Sequence, residues 1–461
     1  MWWEGRRTQE AGQALWLPVL WLTITGSRFV SQWLTLGQSV PENYTDGSPL
    51  DAIYFLSLIL AGIAVLARRR VSLAEVIRHN PWVVALCLFG LLSLLWSDFP
   101  FIAFKRWVKA LGHPVMALII LTEVDPRRAL RTVLKRCAFV LVPTSVLFIK
   151  YLPEYGRGFD SYTGAAFDRG VGLTKNDLGY VCMVFGLFFF WNLLTVRHVE
   201  QPASRRLEAL LSIGFLCMLG WLLFRSNSAT SLAALSLGAA TLVLLGWRVI
   251  SKQHIGAWVI AALLIAVAAE TTFDVYEQVV RMLGRNPNLT DRTEVWADVI
   301  ALQPNVVLGA GFESFWLGPR LETLWAKWWW LPTQAHNGYI ETYLNLGIVG
   351  VLLLFGLIVS VFRKITRQLV TPEADFAGLR LALLFAIIAF NYTEAGFKGV
   401  HFVWTLFHIV AMDYPRALQA VERSGPAIRH FGRNVASSLV RHNGQANRAR
   451  GRTTSDRPAL R

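Results

Sequence analysis

Four apolar runs dominate what this chain can become: "DAIYFLSLILAGIAVLA", "PWVVALCLFGLLSLLW", "SLAALSLGAATLVLLGW" and "GIVGVLLLFGLIVSVF". A hydrocarbon core about 30 Å thick is crossed by roughly 20 residues of helix. Runs of this length and composition therefore predict an all-α polytopic membrane protein. Composition agrees, because 54% of the 461 residues are hydrophobic, 16% are charged and the mean hydropathy is +0.42. A soluble domain carries roughly a quarter charged residues.

A formal net charge of +15 raises nucleic acid as a partner. The distribution of that charge excludes it. Lysine and arginine sit in short clusters between apolar runs and in the tail "RHNGQANRARGRTTSDRPALR". Cytoplasmic loops of membrane proteins carry such clusters under the positive-inside rule, and a basic, disordered cytoplasmic tail lies against anionic lipid. Cys87, Cys137, Cys182 and Cys217 fall inside or at the edge of predicted spans with no CxxC spacing, so neither a disulfide framework nor a zinc site is expected. No metal and no cofactor are expected. Arg6 and Arg7 precede "ALWLPVLWLTITG" without a small-residue cleavage site, which predicts an uncleaved first span.

Arg68, Arg69 and Arg70 anchor one end of the second span inside. So do the clusters at 125–136, 197–206, 248–252 and 363–367. Alternation from these anchors gives about twelve spans with both termini in the cytoplasm. The chain then divides into a cytoplasmic N-terminus (1–13), a first membrane part (14–272), a large structured outward loop (273–336), the last spans (337–413) and the basic tail (414–461). The other outward segments are 37–50, 97–108, 151–176, 225–230 and 391–398.

Within the large loop, "DRTEVWADVIALQP" predicts a short helix with Asp291 as N-cap, Glu294 three residues on, and Pro304 past its end. "LGAGF" (308–312) is a glycine-rich turn. "GPRLETLWAKWWWLP" puts Leu321, Leu324, Trp325 and Trp328 on one helical face, which predicts a helix lying on the outer leaflet. A structured loop of this size in a membrane protein is usually functional.

Outside the cytoplasm an enzyme must draw on a donor already energised, such as a lipid diphosphate. A metal on an acidic cluster or a set of arginines can stabilise that leaving group. The outward loops hold no D-x-D pair, but they do hold Arg157, Arg169, Lys175, Arg225, Arg281, Arg285 and Arg292. Outward positives run against the positive-inside rule, and arginine suits bidentate phosphate contacts. Arg292 sits in the first turn of its helix, where a cation opposes the macrodipole, so helix stabilisation does not account for it. Arg169 and Lys175 flank "GVGLT", where a solvated loop or a headgroup anchor is the alternative. Lys105, Arg106, Lys109 and Arg28 read as side chains that snorkel to headgroups.

His336 closes the large loop at the lip of a span, in "TQAHNGYIETYLNLGIVG"; His113 and His401 read as lying within spans. An imidazole there titrates near neutral pH and can take a proton from an acceptor hydroxyl. Asn337 can position it or the sugar, Glu341 is a second candidate base, and glycines in the helix permit close packing.

These residues fall into a recognisable set. "AHNGYIETYLNLGIVG" resembles the His-Asn signature of the O-antigen ligase and polysaccharide polymerase superfamily. "LTDRTEVWADVIALQPNVVLGAGFESFW" resembles its Arg-x-x-x-Trp helix and Gly-x-Gly-Phe turn. "GVGLTKNDLGYVC", with Lys175 and Asn176, resembles its Gly…Lys-Asn segment, and "FRSNSATSLAAL" its Ser-x-Ser-x-Thr turn. "LWSDFPFIAFKRWVKALGHPVMALIILTE" is similar to the exopolysaccharide-production polymerase branch. The resemblance runs from about residue 14 to residue 412.

The resemblance implies a metal-independent, inverting glycosyltransferase of the bacterial inner membrane, with its site facing the periplasm. Its substrates would be a polyprenyl-diphosphate-linked glycan donor and a glycan or lipid-linked acceptor. A chain-length regulator and a flippase are the partners it suggests. By analogy His336 would be the base or the acceptor-positioning residue and Arg292 would contact the diphosphate. Ligase members commonly carry an arginine where this chain has Ala229, and Arg225 is the nearby substitute, which leans the reading toward polymerase. Two alternatives stay open: an O-antigen ligase acting on lipid A core, and, from another class, a lipid-linked glycan transporter or flippase. A transporter needs polar groups or broken helices near the midplane.

Overall fold

In a computed structural model the described residues are 12–36, 47–159, 164, 166–198, 201–247, 251–261, 264–265, 278 and 292–415. Helices begin where a side chain meets the orphan donors of the first turn. Asp125 accepts from the amides of Arg127 and Arg128 and opens Pro126–Tyr151. Thr174 and Asp177 form a reciprocal capping box ahead of Lys175–Thr195. Asn337 accepts from the amides of Tyr339 and Ile340 and opens Gly338–Gln368.

Seven described helices are long and apolar enough to cross a membrane: Pro49–Arg68, Pro126–Tyr151, Lys175–Thr195, Pro202–Ser226, Ala229–Gly246, Gly338–Gln368 and Ala374–Thr393. Leu73–His79 and Pro81–Trp96, bent by 104°, make an eighth if counted as one span. Gln13–Thr25 and Phe402–Ala411 are shorter apolar helices. About twelve spans were expected; most of 262–291, including Arg281, Arg285 and the expected cap Asp291, lies outside the described residues. Lys175–Thr195 and Ala374–Thr393 are the most enclosed spans and Pro49–Arg68 is among the least.

The basic anchors meet one another's neighbourhoods at one end of the bundle. Arg69 pairs with Glu123, Arg127 with Glu373 at 2.9 Å, Lys135 with Glu208 at 2.6 Å, and Arg380 with Asp413 at 3.0 Å. All these partners lie outside the segments expected to face outward. The outward segments, in turn, touch each other.

The span that follows His336 is broken. Gly347 has φ +62° and ψ −164° inside Gly338–Gln368, and a Cβ there would lie 2.2 Å from the Val307 carbonyl oxygen. The loop segment 306–311 is laid into the break. Its Ala310 and Gly311 amides donate to the carbonyls of Leu344 and Asn345 at 2.9 Å, and the Ile348 and Val349 amides donate to those of Val306 and Val307. Backbone groups that the kink frees are thus satisfied by protein, as lipid depth requires. Gly309, at φ +76°, faces Asn345 C at 2.4 Å from its would-be Cβ. The glycines expected to permit close packing therefore permit a helix break with a loop seated in it.

Three other expectations change. Leu324 and Trp328, expected on the outer leaflet, pack into a core with Val295, Val299, Phe315, Ala335 and Leu344, and Leu321 is buried as well. Much of the apolar face of Pro319–Lys327 is thus turned into protein. Arg28 and Arg106 do not snorkel: Arg28 is buried and donates to the carbonyls of Tyr155 and Gly172, and Arg106 donates to that of Glu313. His401 lies ahead of Phe402–Ala411 as its N-cap, whereas His113 is inside Gly112–Leu121. One small antiparallel hairpin, Arg157–Phe159 with Ala166–Asp168, interrupts the otherwise helical chain.

Candidate active site

Four segments expected to face outward converge on one carboxylate, Glu394. It follows the last turn of Ala374–Thr393 and is 6% exposed. Its Oε2 lies 3.2 Å from Nδ1 of His336, and its Oε1 accepts from Nη2 of Arg292 at 3.0 Å and from Nδ2 of Asn176 at 2.6 Å. Arg292 also donates from Nη1 to the Thr393 carbonyl. Burial alone would push the Glu394 carboxyl up. The hydrogen bond from His336, with the charge and hydrogen bond of Arg292, outweighs it and holds the group below the ordinary carboxylate range.

The supporting shell comes from the Ser-x-Ser-x-Thr turn. Ser228 donates to Oδ1 of Asn176 at 3.1 Å, and the hydroxyls of Thr230 and Thr393 lie 2.6 Å apart. Asn176 thus hands a hydrogen-bond chain from Ser228 to Glu394. On the other side Asn337 donates to the Tyr392 carbonyl at 2.9 Å while its oxygen caps the helix, and Gly338 N–H donates to the Glu394 carbonyl at 3.1 Å. A Cβ on Gly338 would meet Asn391 Oδ1 at 2.1 Å, so only glycine lets the two chains close here.

His336 itself has φ +51°, a backbone state that costs a non-glycine residue of order 1–3 kcal/mol. Its Nδ1 is approached by two groups, Glu394 and Nε2 of Gln334 at 3.4 Å. Lys398 donates to Gln334 Oε1, which turns the amide nitrogen toward the ring. Nδ1 can serve one of the two, and the ionised carboxylate is the stronger partner. The imidazole then carries its proton on Nδ1 and leaves Nε2 as a base. Among the described residues Nε2 has no hydrogen-bond partner, and the side chain is 26% exposed.

The other expected site residues are dispersed. Glu341 is buried and fully engaged, accepting from Nε1 of Trp316 at 3.0–3.1 Å and from the Ala335 amide at 2.6 Å. Those bonds tie Glu341 to the segment that leads into His336, and Glu341 also lines a cavity beside Lys398. Arg225 turns away from the Ser228 side of its turn and pairs with Asp168 at 2.5 Å. Arg169 donates to the carbonyls of Tyr155 and Glu154. Lys175 is half-buried on the first turn of its helix, beside Asn176. Glu394, Gln334 and Lys398 were missed by the sequence reading. The one signal for Glu394 is an acid in a short, otherwise charge-poor turn between two apolar runs.

Lys398 also lines a cavity with Trp107, Phe312, Glu313, Phe397 and Trp404. Glu313 has φ +53° and accepts from the Gly399 amide at 2.8 Å. No group of His, Cys, Asp and Glu side chains suited to a metal ion occurs among the described residues.

Comparison with known proteins bears on this geometry. Residues 213–355 match the family described as O-Antigen ligase. That span takes in Ser228, Arg292 and His336 but not Asn176 or Glu394. The chain is also 26% identical over 327 residues to the exopolysaccharide production protein ExoQ of Rhizobium meliloti (strain 1021), covering 68% of this chain and 71% of that protein. Both findings bear out the superfamily and branch that the motifs resemble.

Proposed function

We propose, for a membrane protein similar to O-antigen ligases and to an exopolysaccharide production protein, that it is a metal-independent, inverting glycosyltransferase. In this reading it polymerises polyprenyl-diphosphate-linked repeat units at the periplasmic face of the bacterial inner membrane. The observation that carries the proposal is that one buried carboxylate, Glu394, is shared by the His336 imidazole and the Arg292 guanidinium. It pairs a proton acceptor with a cation suited to a phosphate leaving group.

The acceptor hydroxyl oxygen bonds to the donor's anomeric carbon from the face opposite the departing oxygen. The bond from that carbon to the diphosphate breaks, and its electron pair leaves with the prenyl diphosphate. The hydroxyl proton passes to Nε2 of His336, and Glu394 stabilises the imidazolium through Nδ1–H. Arg292 spends two of its N–H groups on Thr393 and Glu394, so others remain for diphosphate oxygens.

The test supplies purified protein with the host's lipid-linked repeat unit in the presence of EDTA. A ladder on the prenyl carrier, absent with His336→Ala, supports the polymerase. Product that forms only when lipid A core is added assigns a ligase. No glycosidic bond under either condition refutes the enzyme and turns attention to transport.

A further inference from the structure

Two guanidinium groups meet at one main-chain carbonyl. Arg28 donates from Nη2 to the Tyr155 oxygen at 2.5 Å, and Arg169 donates from Nε to the same oxygen at 3.2 Å. Arg28 also reaches the Gly172 carbonyl at 3.1 Å, and Arg169 the Glu154 carbonyl at 3.4 Å. Among the described residues neither makes an ion pair. Burial and then the charge of Arg169 bring Arg28 down to about 10, against a smaller opposing pull from Asp177, whose carboxylate is engaged in its own capping box.

Immediately beside them stands the hairpin. Asp168 is 4% exposed and accepts Nε of Arg225 at 2.5 Å, with Nε of Arg157 at 3.5 Å. Arg157 and Arg225 keep 45% and 40% of their side chains exposed, and Nη2 of Arg157 donates to the Ile149 carbonyl at 3.1 Å. Arg157 and Arg225 thus share the Asp168 carboxylate, while Arg28 and Arg169 share the Tyr155 carbonyl. Like charges held this near one another are stabilised by an anion, and guanidinium forks match phosphate oxygens two at a time.

The position of this cluster matters as much as its charge. The turn 225–230 sends Arg225 to the hairpin, while Ser228 and Thr230 reach Asn176 and Thr393 beside Glu394. A polymerisation step brings two lipid diphosphates together: the donor glycan leaves its carrier, and the acceptor keeps its own. We propose that the hairpin cluster of Arg157, Arg169 and Arg225, backed by Arg28, holds the diphosphate of the acceptor's carrier, while Arg292 serves the donor's. This rests on the polymerase reading.

A membrane phospholipid headgroup offers similar phosphate chemistry, so the test separates the two sources. Farnesyl diphosphate binding to the full chain is counted by native mass spectrometry, in detergent and in nanodiscs of phosphatidylcholine with or without phosphatidylglycerol. Wild type is expected to bind two equivalents in every medium. Arg169→Gln/Arg225→Gln is expected to keep one, and Arg292→Gln to keep the other. Arg169→Lys/Arg225→Lys preserves a cation for Asp168 and guards against misfolding; its second equivalent is expected to weaken roughly tenfold with the first unchanged. A single wild-type equivalent, or a second one indifferent to both hairpin variants, overturns the proposal. Displacement of the second equivalent by phosphatidylglycerol overturns it too, as a headgroup site. An Arg292→Gln variant that still binds two equivalents would count against the donor assignment and leave the hairpin site standing.

Discussion

Glu394 Oε2 lies 3.2 Å from His336 Nδ1, although the two residues are 58 positions apart and belong to different outward segments. The contact selects the tautomer that leaves Nε2 free, on a side chain that is partly exposed. It also places a negative charge where an imidazolium would form during transfer.

His336→Ala is therefore expected to lower the transfer rate by on the order of 10² to 10⁴. Glu394→Gln should lower it by less, roughly tenfold or more, through kcat with little change in KM, and Glu394→Asp should recover part of the loss. Steady-state kinetics on purified protein checks both. Equal kcat in Glu394→Gln and wild type would remove Glu394 from the mechanism.

The depressed Glu394 carboxyl makes a signed prediction about pH. Its folded value lies below that of an unfolded glutamate, about 4.3. Its contribution to stability is complete above the unfolded value and is lost as pH falls through the folded one. Thermal unfolding in detergent between pH 7 and pH 3 should show the midpoint falling in acid for wild type. The fall should be shallower in Glu394→Gln.

Glu341 tests the distinction between scaffold and base. Glu341→Ala strands the Trp316 and Ala335 N–H groups, at about 1–3 kcal/mol for each buried donor left unpaired. The expected result is a lower unfolding midpoint together with reduced activity. A rate loss with an unchanged midpoint would restore Glu341 to the chemistry.

The helix break depends on glycine at one position. Gly347→Ala combines a strained φ of +62° with a Cβ 2.2 Å from the Val307 oxygen, and should destabilise by about 2–4 kcal/mol. Gly220→Ala, inside a helix with nothing within 4 Å of the added carbon, is the matched control and should be neutral or mildly stabilising. Unfolding midpoints of the two variants decide it.

Asn176 should matter more than Ser228. Ser228→Ala removes neutral hydroxyl contacts to Asn176 and Ser231, worth about 1 kcal/mol each, whereas Asn176→Ala removes the bond that Glu394 accepts at 2.6 Å. Activity is expected to fall further in Asn176→Ala than in Ser228→Ala, measured on the same lipid-linked substrate.

The helical membrane class and the grouping of basic anchors were legible in the sequence because hydrophobicity and charge are summed over short windows. Lipid enforces both residue by residue. His336, Arg292, Asn176 and Asn337 could be named because each stands at a helix start, where local pattern and side-chain chemistry coincide. The sequence did not reveal Glu394, the seating of segment 306–311 in the Gly347 break, or the turning of Arg225 toward Asp168. It also assigned Leu324 and Trp328 to lipid, where folding packed them with Val295 and Val299. Each of these depends on which segments become neighbours. A carboxylate, an apolar stripe or a guanidinium has several partners within its chemistry, and only the packed bundle decides which of them is near enough to win.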